Sequence, residues 1–122
     1  MEEESEIDLV FDRTYQDLRD QFADKYFGGR KRDACQFALS LGIRFNRRAP
    51  RKSWKAKQLS WDDLNRLKTR VADFGVLFDY MDLDDGDMST KKRIDEFVTG
   101  GLRYIEENDL IDDGALVEIE LD

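Results

Sequence analysis

Large apolar residues recur along much of this chain at intervals of three and four, the spacing that places side chains on one face of an α-helix. Six of them follow this spacing between Ile7 and Tyr26. The pattern predicts a first helix over residues 7–26. Gly28 and Gly29 should end it, because glycine readily adopts the left-handed conformation that terminates helices.

The next periodic run predicts a second helix over residues 31–41. Gly42 follows where a left-handed terminating residue belongs. Residues 43–58 lack a helical period and carry much positive charge, so we expect an extended loop or a short hairpin there.

The clearest helical period spans residues 61–81 and predicts a third helix, with Ser60 as its N-cap. We then expect an acidic turn over residues 82–87. Ser89 or Thr90 should cap a fourth helix that ends near residue 108. Its inward stripe is apolar and consists of Ile94, Phe97, Val98, Leu102 and Ile105.

Apolar and acidic residues alternate between 115 and 121, a pattern typical of a strand. A lone strand needs a partner, which would be residues 43–45 or a second copy of the chain in a homodimer. We therefore expect an all-α fold: one domain of four helices, with a basic loop or hairpin between the second and third. Residues 1–6 would be an acidic N-terminal tail and 109–122 an extended C-terminal tail.

Length and composition favour one folded unit, since 122 residues with 40% apolar content can bury a single core. The acidic start is unlike a signal peptide, and no apolar run approaches the ~20 residues of a membrane span. One cysteine, Cys35, rules out an internal disulfide and fits a reducing compartment. These features predict a cytoplasmic protein that does not enter membranes.

Histidine is absent from the chain, and this excludes zinc sites of the Cys/His kind, Ser-His-Asp triads and Cys-His dyads. No lysine has an acid two residues before it, as the common nuclease arrangement requires. No glycine-rich phosphate loop is present. The acidic run that starts at Asp82 fails the register of a calcium loop. We therefore expect no enzyme activity, no cofactor and no metal, and we interpret Cys35 as a buried structural thiol.

Positive charge is concentrated between residues 30 and 57, where ten basic residues stand against one acid, although the whole chain carries −8. Such segregation is typical of a face that meets a polyanion, or of basic residues that meet acidic surface on the same fold or on a partner.

The basic triplet at residues 30–32 lies in the expected first turn of the second helix, where the helix dipole disfavours cations. Binding to phosphate oxygens would explain why the triplet lies there. Ion pairs with acids of the first helix or of the C-terminal half would explain it equally well. The loop adds cations interleaved with Trp54. Its ring could stack on bases or cover the edge of the core, and the loop cations could contact an anionic partner or remain solvated.

Short motifs connect this chain to a known family. The run from Phe37 to Arg48, which reads FALSLGIRFNRR, the aromatic Trp61, and the run FVTGGL from Phe97 to Leu102 resemble the Dnd system-associated protein 4 family. These small proteins are encoded beside DNA phosphorothioation genes in prokaryotic defence islands. The resemblance covers residues 31–107 discontinuously and implies a role in DNA modification or restriction, without catalytic residues to carry over.

The leading hypothesis is therefore a non-enzymatic accessory protein of a DNA-modification or defence system that contacts the nucleic-acid backbone. An adaptor or inhibitor subunit that binds a larger protein by charge complementarity is the alternative. A transcriptional regulator that places the second or third helix in the major groove is a weaker one. The predicted nucleic-acid contacts are Arg30, Lys31, Arg32, Arg44, Arg47, Arg48, Arg51, Lys52 and Lys55.

Overall fold

A computed structural model of the chain describes residues 5–56, 66–69, 74, 76–78, 81 and 89–110. Two short strands, β1 and β2, pair with each other, and helices make up most of the rest. The elements in chain order are β1 (Ser5–Asp8), a 3₁₀ turn (Arg13–Tyr15), α1 (Gln16–Tyr26), α2 (Lys31–Arg44), a second 3₁₀ turn (Arg51–Ser53), β2 (Arg66–Thr69), α3, which is described at residues 74 and 76–78, and α4 (Thr90–Glu107).

The prediction of a helical domain is confirmed. Helices α1, α2 and α4 enclose one apolar core, with α2 packed most extensively on α4. The apolar stripe predicted for α4 lies at its centre, and each of its five residues is fully buried. Residue Phe78 of α3 packs against Phe97, with ring centroids 5.3 Å apart. The core thus joins segments from both halves of the sequence.

The first helix begins later than its apolar spacing predicts, because α1 starts at Gln16 and not at residue 7. Residues 9–12 are buried without forming a helix. Two of their backbone donors find partners on α4: the Val10 N–H donates to Asp95 Oδ1 at 3.1 Å, and the Asp12 N–H donates to Thr99 Oγ1 at 3.1 Å. These bonds replace the intrahelical ones, so the segment does not need helical geometry.

Strands β1 and β2 form an antiparallel pair in which Ile7 lies opposite Leu67. Two predictions are corrected by this pair. Ser5 and Glu6 belong to a strand and not to an acidic tail. Residues 66–69 are extended, although the helical period of residues 61–81 includes them. Hydrogen bonding between distant segments has overridden the local pattern, as is common for short elements.

The second helix runs beyond its predicted end to Arg44, so Gly42 lies inside it. The left-handed residue that follows the helix is Asn46, with φ of 51°. Gly42 serves a different purpose, since a Cβ there would overlap the carbonyl oxygen of Phe97 on α4. Glycine is required by the close approach of two helices and not by a turn.

The same close approach explains the glycine pair of α4. A Cβ on Gly100 would overlap the carbonyl oxygen of Arg47, and a Cβ on Gly101 would overlap the carbonyl oxygen of Ala38. Helix α2 and the chain that leaves it therefore lie directly on the backbone of α4. Gly42, Gly100 and Gly101 therefore all lie where α2, or the chain that leaves it, crosses α4.

The ends of α4 agree with prediction. Ser89 is the N-cap and accepts a hydrogen bond from the Lys92 N–H at 3.2 Å, and Asn108 is the C-cap. Leu110 is buried and donates its N–H to the Ile105 carbonyl at 3.0 Å, so the chain returns to the core where an extended tail from residue 109 was expected.

Several predictions fall outside the described residues: the N-cap at Ser60, the aromatic Trp61, the acidic turn at 82–87 and the strand at 115–121. Among the helices that are described, none combines the length and apolar character needed to cross a membrane.

Candidate nucleic-acid interface

The basic segment after α2 lies along α4 as a loop; no hairpin forms within its described part, residues 45–56. It turns at Asn46, and the Arg47 N–H donates to the Gly42 carbonyl at 2.7 Å. The Ala49 N–H then donates to the Glu96 carbonyl at 3.0 Å. The backbone is thus fixed to α4 before the side chains are considered.

Glu96 is the first of two buried acids on α4 that hold this loop. Its side chain is 3% exposed. Oε2 accepts the Arg51 N–H at 2.8 Å, and Oε1 lies 3.3 Å from Arg48 Nε in an ion pair. A carboxylate this well buried requires a compensating cation, and Arg48 provides it.

Asp95 is the second buried acid. Oδ1 accepts hydrogen bonds from the Val10 N–H at 3.1 Å and from Lys91 Nζ at 2.6 Å. Oδ2 lies 3.3 Å from Arg51 Nη2. Burial raises the pKa of Asp95, and the charges of Lys91 and Arg51 oppose that rise without cancelling it. Asp95 therefore connects the N-terminal segment, the loop and α4 at one carboxylate.

Asp12 fixes the far end of the loop. Its carboxylate accepts the backbone N–H groups of Thr14 at 3.0 Å, Lys55 at 2.6 Å and Ala56 at 3.1 Å. Burial alone would raise the pKa of Asp12, but the combined backbone hydrogen bonds lower it below its ordinary value. The ionised carboxylate is thus the form that holds the loop.

Trp54 is buried in a small apolar cluster that is separate from the main core. The residue is 8% exposed and packs with Val10 and Ala49. Its indole N–H donates to the Ala49 carbonyl at 2.9 Å, and the Arg51 guanidinium lies over the ring at 4.8 Å from the centroid. The ring is therefore not available to stack on a base.

The three basic residues at the start of α2 have different surroundings. Arg30 pairs with Asp33 at 2.7 Å in its own turn, and Lys31 lies 3.7 Å from Asp20 of α1. Arg32 is exposed and forms no ion pair with any described residue. Two of the three cations are thus neutralised within the chain, Lys31 by an acid of the first helix, as one alternative expected, and Arg30 by an acid of α2.

Two arginines flank a ring stack at the C-terminal ends of α2 and α4. Phe45 stacks on Tyr104, with centroids 4.7 Å apart. The Arg44 guanidinium lies over Phe45 at 5.4 Å and that of Arg47 over Tyr104 at 5.6 Å. Arg47 also pairs with Glu107 at 3.4 Å. Both arginines are more exposed than Arg48, so their outer edges face solvent.

A pocket of about 120 Å³ lies between the loop and α4. Its lining is rich in arginine and consists of Arg47, Arg48, Ala49, Gly100, Arg103 and Glu107. The cations there already have partners within the chain, since Arg103 donates to the Ser53 carbonyl at 3.0 Å in addition to the pairs of Arg47 and Arg48.

The nine predicted contacts therefore do not form one uniform surface. Five are ion-paired within the chain, namely Arg30, Lys31, Arg47, Arg48 and Arg51. Lys52 and Lys55 are exposed and, like Arg32, form no ion pair among the described residues. Arg48 and Arg51 bind buried acids, so their role is structural.

Sequence reasoning missed the acids that arrange this region. Asp12 carried a recognisable signal, because an aspartate two residues before Thr14 is a common cap of a turn. The sequence around Asp95 and Glu96 gave little indication of their role, since adjacent acids on a helix normally indicate a solvated face. Their burial depends on the loop that crosses α4, which no local pattern reports.

Comparison of the chain with protein-family models, with curated proteins and with solved structures finds no match. Within the described ranges, no group of three or more cysteine and acidic side chains is placed to hold a metal ion.

Proposed function

We propose that this protein is a non-enzymatic accessory component of a prokaryotic DNA-modification or defence system of the phosphorothioation type, and that it contacts the nucleic-acid backbone. The motifs around Phe37 and Gly100 that resemble the Dnd system-associated protein 4 family support the biological setting. Those motifs include the glycines at the α2–α4 crossing, so the resemblance involves residues on which the packing of this chain depends.

One observation carries the contact with a polyanion: three cations, Arg32, Lys52 and Lys55, are exposed and form no ion pair among the described residues. Exposed cations are the groups that neutralise phosphates and release counterions. Arg48 and Arg51 are removed from the predicted contacts because each one satisfies a buried carboxylate.

The salt dependence of binding tests this proposal. Neutralising three or four phosphates should make the logarithm of DNA affinity fall with the logarithm of salt at a slope of about −3 to −4. The triple variant Arg32→Ala, Lys52→Ala, Lys55→Ala should lose most of that slope. The measurement is fluorescence anisotropy of a short labelled duplex between about 50 and about 200 mM salt.

Lys92→Ala provides the control, because Lys92 is an exposed cation on α4 that carries no ion pair among the described residues. It should leave the slope unchanged. No detectable binding by the folded wild-type chain at the lowest salt, or equal losses in the triple and control variants, would refute the backbone contact.

A second candidate is a protein-binding adaptor or inhibitor subunit, and the ion pairs favour it. Much of the basic band is neutralised within the chain, which leaves exposed acids such as Asp17, Asp24 and Glu106 to face a partner. Affinity purification from cells, with and without nuclease treatment, separates the two. A protein that is retained after nuclease treatment, with no nucleic acid in the untreated sample, supports the adaptor.

A further inference from the structure

We infer that α1, the turn after it and α2 form a helix-turn-helix unit whose second helix enters the major groove of duplex DNA. This rests on the proposed function, because it names the element and the groove through which exposed cations meet nucleic acid. The turn, the aromatic corner and the outer face of α2 carry the inference.

Four residues, 27–30, separate α1 from α2. Gly28 and Gly29 adopt positive φ angles of 60° and 83°, and the Gly29 N–H donates to the Ala23 carbonyl at 2.9 Å. A turn of three or four residues that contains glycine is the connection found in DNA-binding helix-turn-helix units. The length and the backbone conformation both fit that unit.

Three rings form a rigid corner where the two helices meet. Phe22 of α1, Phe27 of the turn and Phe37 of α2 lie with centroids 5.6 to 5.8 Å apart in all three pairs. Aromatic pairs at these distances pack favourably and hold their elements in one orientation. Helix α2 can therefore present its outer face without rearrangement.

The outer face of α2 carries four exposed side chains spaced four residues apart: Arg32, Gln36, Ser40 and Arg44. No acid belongs to this row. Asp33, the neighbour of Arg32 in the chain, is engaged by Arg30 at 2.7 Å. The row thus has a cation at each end and hydrogen-bonding groups between them, on a helix whose other side is core.

The dimensions match the groove. A helix of 14 residues is about 21 Å long and about 10–12 Å wide, and the major groove of B-DNA is about 12 Å wide. Arg32 and Arg44 are about 18 Å apart along the axis and can reach phosphates on either side. Gln36 lies in the N-terminal half of α2, the part that reads base edges in such units, and its amide can pair with adenine.

Of the exposed charged side chains of α1, Asp17 and Asp24 are acids and Lys25 is a cation, so this helix adds no net attraction for phosphates. The phosphate contacts are therefore assigned to α2. Ser40 donates its hydroxyl to the Gln36 carbonyl at 3.1 Å, so its oxygen remains available as an acceptor. The preference for particular DNA sequences would then come chiefly from Gln36.

Duplexes selected from a randomised DNA pool test the inference. Arg32→Ala with Arg44→Ala should weaken binding to all sequences and reduce the salt slope by about 2. Gln36→Ala should leave binding to unselected DNA within about twofold, while preference for selected over unselected sequences falls by about 5- to 100-fold, the worth of one bidentate base contact. Gln21→Ala, at an exposed position of α1, is the matched control and should change neither the salt slope nor the preference for selected sequences.

The outcomes separate this inference from the proposed function. Loss of binding in Lys52→Ala, Lys55→Ala with no change in Arg32→Ala, Arg44→Ala would place the contact on the loop and refute the role of α2. Equal competition by duplex RNA would also refute it, because the deep, narrow major groove of A-form RNA does not admit a helix. No binding to either duplex by the folded chain would refute both proposals. Circular dichroism confirms that each variant is folded.

Discussion

At the residue scale, the position of the nearest carboxylate decides what each cation does. Arg48 and Arg51 lie beside acids that are almost completely buried, and removal of one partner from such a pair leaves an unpaired buried charge. Arg32 and Lys52 have no such partner among the described residues and remain exposed to solvent. Identical charges in the sequence therefore divide into structural cations and available ones.

Asp12 permits a test of pH dependence. Its pKa is lowered in the folded state, so the stability it contributes is present above its ordinary value of 3.8 and is lost as pH falls through the lower folded value. Asp12→Asn should reduce the free energy of unfolding by about 2–3 kcal/mol at neutral pH, since an amide nitrogen replaces an oxygen that accepts backbone N–H groups. Urea unfolding at several pH values measures this.

The difference between wild type and Asp12→Asn should shrink as pH falls from 3.8 through the lower folded pKa of Asp12, below which the wild-type carboxylate is also protonated. Asp17→Asn, at an exposed position of α1, is the control for the change of charge. A difference that stays constant with pH would show that Asp12 acts through packing and not through its ionised carboxylate.

At the scale of elements, α4 organises the fold, because three segments are arranged by contact with it. The N-terminal segment bonds to Asp95 and Thr99, the loop bonds to Glu96, and α2 lies on the backbone of the helix at Gly101. The two helices come close because no side chain separates them. That close approach also sets where the loop begins.

Gly101→Ala tests the crossing. The added methyl would overlap the carbonyl oxygen of Ala38, which is backbone and cannot turn away, so α2 and α4 must move apart. We expect the free energy of unfolding to fall by at least about 3 kcal/mol, at or beyond the upper end for overpacking by a side chain. Thermal or urea unfolding followed by circular dichroism measures the change.

Gly28→Ala is the matched control, since Gly28 has positive φ but no atom within 4 Å of the added methyl. The free energy of unfolding should fall by about 1–2 kcal/mol, the cost of holding a residue with a Cβ in the left-handed conformation. Equal losses in the two variants would mean that the contact between α2 and α4 is looser than the structure indicates.

At the scale of the whole molecule, one apolar cluster joins the N-terminal segment, α1, α2, Phe78 and α4. Elements that share a core and exchange buried hydrogen bonds unfold together. The whole chain carries a net charge of −8, and the exposed cations without an ion pair among the described residues include Arg32 on α2 and Lys52 and Lys55 on the loop. The described elements that share this cluster therefore form one folding unit.

Thermal unfolding should accordingly be a single two-state transition, with an enthalpy of about 85 kcal/mol for a chain of 122 residues near 60 °C. Calorimetry measures this enthalpy directly, and the van't Hoff enthalpy from circular dichroism should equal it. Two resolved transitions, or a calorimetric enthalpy well above the van't Hoff value, would show that part of the chain folds separately.

Local patterns predicted well where an element depends on its own residues. Helix α4 begins at its serine cap and buries its apolar stripe, because capping and helical period act within a few residues. Local patterns failed where a segment forms hydrogen bonds with a part of the chain that is distant in sequence. The apolar spacing at Ile7 and Phe11 fits a helix, yet these residues lie before α1, in a region whose donors bond to α4.

The amino-acid sequence by itself determined the helical class, the concentration of basic residues and the absence of imidazole chemistry, since these follow from composition and short-range periodicity. Only the tertiary structure decided which cations are available. Arg51 and Lys52 are neighbours in the chain, yet one reaches a buried carboxylate and the other faces solvent. Electrostatic partners are chosen by distance in space, and the loop meets α4 more than forty residues away in sequence.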